Sequence, residues 1–321
     1  MKMSWNGLRP AATLGQCLSV ALLVSCGGGE PIDRFVPTRL IAIGDETSVI
    51  NSDGSKHTVN ALVTGTTNTL DCKANPVWVQ SLATAYGLQF AGCPNTAGAV
   101  ATAHLFAAAG AKVADVAAQV TAVGVFAEKD LVPVLAGAND IFEQYALLDS
   151  TVASVVQSEA VITARLEGLG EALAAQVNRI ADAGGKVLIS TVPDLGLTPF
   201  ALAEDALLPG RAALLTRLTK RFNAKLRIKI TNDGRRIGLL LSDELVQAVV
   251  RNPGGSGFTD GSAPACDVLV APVVTACTTA TLVAGAVAPA NYLWANDRLL
   301  GPNGHRLLGN LALTRAANNP F

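Results

Sequence analysis

Charge is scarce in this chain. Asp, Glu, Lys and Arg make up 15% of its 321 residues, and aromatic residues only 5%. So little charge beside 50% hydrophobic residues excludes a disordered chain, which needs the reverse balance, and the lack of sustained heptads excludes a coiled-coil rod. The 24 basic and 25 acidic residues nearly cancel and form no basic arm, which leaves nucleic acid without an electrostatic footprint. No Cys-x-x-Cys spacing occurs among the six cysteines and no His adjoins one, so metal binding is their weaker reading; the sequence indicates no metal site and no cofactor. No internal repeat is visible. What is abundant is Ala, Leu and Val, the composition of a tightly layered aliphatic core, and one large α/β domain accounts for the length.

One long apolar stretch stands at the start. Lys2 and Arg9 precede a short run from Ala11 to Val24, too short for a spanning helix of roughly 20 residues, so residues 1–25 read as a removable export signal. Leu23-Val24-Ser25-Cys26 resembles the lipobox of bacterial lipoproteins, which implies that Cys26 is lipidated and membrane-anchored. Gly27 in place of the retention-favouring Asp implies the periplasmic face of the outer membrane. Residues 26–38 then form the lipidated cysteine and a flexible tether, and 39–321 the folded domain. In an oxidising compartment Cys72, Cys93, Cys266 and Cys277 are expected to pair. Of three pairings, Cys72 with Cys93 and Cys266 with Cys277 closes the shortest loops.

Five apolar runs that stop at Gly or Asp predict buried strands at 39–44, 104–108, 131–136, 186–191 and 237–241. Between them, helical spacing appears at 76–86, 113–123, 151–183 and 211–230, with a turn at 232–234. This alternation specifies a parallel five-stranded sheet covered on both faces, with functional groups collecting at the strands' carboxyl edge. Residues 252–291 read as a long irregular loop stapled by the second cysteine pair. A basic stripe, Arg217, Arg221 and Lys225 with Lys220 and Lys229, reads as a solvated helix face that also suits anionic head groups.

The strand endings carry a resemblance. Residues 43–46 (IGDE), 106–112 (FAAAGAK) and 135–141 (LAGANDI), followed by 192–199 (VPDLGLTP), 222–226 (FNAKL), 252–266 and 292–309, resemble in this order the blocks of the GDSL or SGNH esterase and lipase superfamily. The resemblance implies a flavodoxin-like three-layer α/β/α sandwich and hydrolysis of carboxylic esters. It also implies a Ser nucleophile after the first strand, a His base, an Asp three residues before that His, and a hole for the oxyanion. Gly110 and Asn139 match the hole and Asp297 matches the Asp. Glu46 stands at the Ser position and Leu300 at the His position.

A carboxylate at Glu46 cannot form the usual acyl-enzyme and repels a developing oxyanion, although it could act as a base on water. Advancing two residues along an incipient helix turns Ser48 by roughly 200°, away from the hole. His305 resembles a second His of the final helix and reads as a packed residue; His57 and His104 are lone histidines. Asp45 and Asp140 read as short carboxylates bonded to loop backbone, with a cation site shared by Asp45, Glu46, Asp140 and Asp297 as the weaker reading. The sequence therefore points to a family relative with weak or lost hydrolysis, or to a noncatalytic lipoprotein that binds an acyl, glycan or protein ligand in the old cleft.

Overall fold

The computed structural model describes residues 34–94, 98–148, 156–231, 234–284, 291–319 and 321. The expected export segment, Cys26, the tether up to residue 33 and the turn residues 232–233 lie outside the described residues. The strands are β1 (Arg39–Gly44), β2 (Ala61–Leu62), β3 (Leu70–Asp71), β4 (Ala103–Leu105), β5 (Asp130–Leu135), β6 (Lys186–Ser190), β7 (Ile237–Leu240), β8 (Asp260–Pro264) and β9 (Tyr292–Trp294). The helices are α1 (Trp78–Ala85), α2 (Val113–Val123), α3 (Ala138–Ala146), α4 (Glu159–Asp182), α5 (Pro199–Leu207), α6 (Arg211–Lys229), α7 (Ser242–Arg251) and α8 (Pro302–Asn318).

Five strands form one parallel sheet in the order β4-β1-β5-β6-β7. The chain runs outward from β1 in both directions, which opens a crevice beside β1 at the carboxyl edge. Strand residues alternate between two cores. Ile41, Ile43, Val132, Val134, Val187 and Ile189 pack under α2, α4 and α6. Leu40, Ala42, Leu131, Leu188 and Leu240 pack under α1, α7 and α8. The result is the expected α/β/α sandwich, because each apolar strand is buried on both of its faces.

The predicted strand at 104–108 is shorter, since the chain after Leu105 turns off the sheet with Phe106 and Ala107 both donating to Ala42 O. The helix expected from residue 151 starts at Glu159, where Ser158 caps it by accepting the Val161 N–H. The expected irregular loop at 252–291, of which 285–290 lie outside the described residues, contains a strand, β8, that pairs in parallel with β9. Both local disulfides are formed, Cys72–Cys93 and Cys266–Cys277, with Cα separations of 5.7 and 5.8 Å. Residues 34–38, read as the end of a tether, are docked instead: the Thr38 N–H donates to Lys129 O at 3.0 Å and Phe35 meets Phe321 edge-on at 5.3 Å.

The basic stripe on α6 is not a free cationic face. Arg217 pairs with Glu159, Arg221 with Glu167, and Lys225 and Lys229 with Glu171, so α4 supplies the matching carboxylates. Each such exposed pair adds less than about 1 kcal/mol, but together they cancel the charge that head groups would have to meet. No described helix is long and apolar enough to cross a membrane.

Candidate active site

β1 ends at Gly44, with φ +130°, where an added Cβ would lie 1.8 Å from the carbonyl oxygen of Leu135. Only glycine lets β1 close this tightly on β5, and the approach throws the next residues onto the sheet's carboxyl edge. Gln119 locks the corner through its side-chain amide, accepting from Gly44 N–H at 2.7 Å and donating to Gly44 O at 2.9 Å. Asp45 then caps a 3-10 turn, Glu46–Ser48, by accepting the Thr47 N–H. The turn presents Glu46 to the crevice.

Gly110, on the loop after β4, has φ +73°, and this left-handed backbone points its N–H at the same place. Asn139, in the first turn of α3, reaches in from the far side of β1. One oxygen of Glu46, Oε2, accepts from Gly110 N at 2.9 Å and from Asn139 Nδ2 at 2.9 Å. Asn139 is oriented by donating also to Ala111 O at 3.1 Å. Two donors converge on one oxygen as an oxyanion hole requires, and the oxygen in it belongs to the chain itself. Both bonds are charge-assisted, so any other oxygen could take this place only by displacing Glu46 Oε2 from both donors.

Acids lie beneath the hole. Asp45 is 1% exposed with Oδ2 unpartnered, and burial, reinforced by Glu46, raises its carboxyl well above the usual range. Asp140 accepts the Val113 N–H that opens α2, and burial pushes it up to about 6. The structure thus joins Asp45, Glu46 and Asp140 electrostatically and leaves Asp297 out. Among the described residues no cluster of three or more metal-ligating side chains exists.

The second wall of the cleft carries Asp297 and Leu300. Asp297 is 54% exposed, and its carboxylate lies 3.4 Å from Nε of Arg298, not against an imidazole. Leu300 is 4% exposed and packs on Gly304 at the head of α8; burying it stabilises the fold by about 2 kcal/mol. Among the described residues no imidazole is hydrogen-bonded to Asp297.

Nearby hydroxyls do not fill the gap. Ser48 is fully buried and its Oγ accepts the Trp78 indole N–H at 3.1 Å, turned from the hole as the helical geometry predicts. Thr47 lines the cleft, but among the described residues no Ser, Thr or Cys is hydrogen-bonded to an imidazole. His305 is completely buried, its Nδ1 accepting the Trp78 backbone N–H at 3.4 Å. Burial, aided by Lys56 and His57, drives its imidazole down to about 3, so it stays neutral. His104 is exposed. Asp194, in the VPDLG turn, is consumed by Gly196, Thr216 and Gln247 and is a structural pin.

Lys56 escaped sequence reasoning, and His57 was read only as a lone histidine. Lys56 is wholly buried, donating to Cys72 O and Ala74 O, and burial lowers it to about 8. His57 is close enough to Glu46 and His305 to sense both, with burial lowering its imidazole against the pull of Glu46. Its neighbour Thr58 donates to Leu300 O at 2.9 Å, which brings this segment under the second wall. The only advance signal was Lys-His inside an otherwise uncharged run.

The walls enclose a cleft of about 290 Å³, lined by Glu46, Asn139, Phe142, Trp294, Arg298 and Leu299 among others. A family model described as "GDSL-like Lipase/Acylhydrolase" matches residues 40–267. No curated protein matches. Among solved structures, the chain is similar to an extracellular lipase from Streptomyces rimosus, at 18% identity over 88% of this chain and 100% of that one, with a TM-score of 0.44. A member of the lipolytic G-D-S-L family from Veillonella parvula is 10% identical over 86% and 96% of the two chains, with a TM-score of 0.40. An acetylxylan esterase from Geobacillus stearothermophilus is 12% identical over 89% and 98%, also with a TM-score of 0.40.

Proposed function

Because the chain belongs to the GDSL-like lipase/acylhydrolase family, we propose that it is a member whose ester hydrolysis is weak or lost and whose cleft serves binding. One observation carries this reading: Glu46 Oε2 sits on both donors of the hole, where a substrate's carbonyl oxygen would otherwise sit. Acyl transfer by this family's route needs an alcohol that attacks, a base that takes its proton and an open hole. Here the attacking position is acidic, the base position is Leu300, and the hole is filled from within.

Turnover of short p-nitrophenyl esters by the purified chain is expected to equal that of Glu46→Ala, both at the uncatalysed rate. Activity that Glu46→Ala abolishes would overturn the proposal. Replacing the two motif positions together, Glu46→Ser with Leu300→His, is expected to raise turnover above both.

We further propose export and anchoring through a lipid on Cys26 at the periplasmic face of the bacterial outer membrane, on the strength of residues 23–26 alone. Incorporation of a labelled fatty acid that Cys26→Ala does not reduce would count against it.

A further inference from the structure

Arg298 stands at the cleft in an unusual setting for a guanidinium. Its Cζ lies 4.4 Å from the ring centroid of Phe142 and 4.3 Å from that of Phe200, two rings that meet edge-to-face at 5.3 Å. The turn that carries it is rigid. Asn296 Oδ1 accepts the N–H groups of Arg298 and Leu299 at 3.0 and 2.8 Å, and Phe200 N–H donates to Asp297 O at 2.9 Å, which ties the turn to the start of α5.

Despite this, the guanidinium donates no hydrogen bond among the described residues. Among the described residues its one ion pair is with Asp297, 3.4 Å from Nε. The two ring planes stand at 88° to each other, so the group packs over both without lying flat on both, and its terminal N–H groups make no hydrogen bond among the described residues. An arginine held between two rings loses little further freedom when its terminal N–H groups meet a carboxylate, which can take two parallel bonds.

The rest of the lining is largely apolar, from Leu135, Leu195, Trp294 and Leu299. Of the other two charges in the cleft, Glu46 is engaged by Gly110 and Asn139, and Asp297 lies at Nε of Arg298, away from the free hydrogen-bonding capacity of its terminal N–H groups. We infer that the cleft binds an apolar carboxylate, its body against the aliphatic and aromatic wall and its carboxylate on the outer edge of Arg298. This rests on the binding reading given above and names its ligand class. Free fatty acids and the acidic products of ester cleavage share this chemistry.

Calorimetric titration of the purified chain with sodium octanoate and with 1-octanol tests it, because the two share a body and differ in the charged head. Octanoate is expected to bind at least tenfold more tightly than octanol. Arg298→Gln is expected to remove the difference and Arg298→Glu to invert it, with octanol binding unchanged in both. Arg298 is partly exposed, and thermal melts of the two variants report that they fold. Equal binding of octanoate and octanol by the native chain, no octanoate binding, or a preference that survives both substitutions overturns the inference. A stack that serves only stability would lower the melting temperature and leave the preference intact. Ester turnover by the native chain would instead overturn the proposed loss of activity, so the two failures are separable.

Discussion

The two walls of the cleft hold their acids in different ways. On the first, Glu46 fills the space between the Gly110 backbone donor and the Asn139 amide. On the second, Asp297 is solvated and beside Arg298, while Leu300 is core. The buried groups beneath the walls are also opposite in kind, with Asp45 and Asp140 under the first and Lys56 and His305 under the second. The contrast teaches that the first wall rests on a corner the sheet itself requires, at Gly44, with one backbone donor and one side-chain donor beyond it, whereas the second wall is set by side chains that face solvent or core.

The largest effect that sharpens this contrast is at Gly44. Gly44→Ala drives a Cβ into Leu135 O and is expected to cost more than about 4 kcal/mol, enough to abolish soluble folded protein. Gly110 also has a positive φ but open space around it, so Gly110→Ala is expected to cost only about 1–2 kcal/mol by chemical denaturation. Comparable losses at the two positions would break the claim that the sheet, and not the hole, demands the tight corner.

Smaller effects separate the buried acids from the buried bases. Asp140 holds its proton more tightly folded than unfolded, so its contribution is present at low pH and is lost as pH rises toward 6. His305 refuses a proton that the unfolded chain accepts below about 6.5, so its contribution is present at neutral pH and is lost as pH falls. Between pH 6.5 and 4.5, Asp140→Asn is therefore expected to lose more stability than the native chain, and His305→Gln less. The differences are on the order of 1 kcal/mol and are readable as shifts in melting temperature. Shifts of the same sign in both variants would contradict the assignment.

Much of this was legible in the sequence because it is local. The strand runs, α2 at 113–123, both ends of α1 and α6 and the far end of α4 within a few residues, and the short-loop disulfides follow from spacing and from turn residues. Gly110 and Asn139 were singled out by the resemblance of their segments to the family's blocks. The direction of the Glu46 side chain was not legible, since it depends on three loops meeting at one edge. Neither was the fate of the α6 stripe, whose partners on α4 lie more than fifty residues earlier and are set by helix packing. The stack of Arg298 on Phe142 and Phe200 joins three separate segments, and no periodicity announces it. Lys56 was passed over because lysine is expected outside; here two carbonyls solvate it.

The account stands on the carboxylate in the hole, and the Gly110 amide proton reports on it directly. In the native chain its resonance is expected to lie downfield of its position in Glu46→Ala. A Gly110 resonance at the same position in both proteins would contradict it.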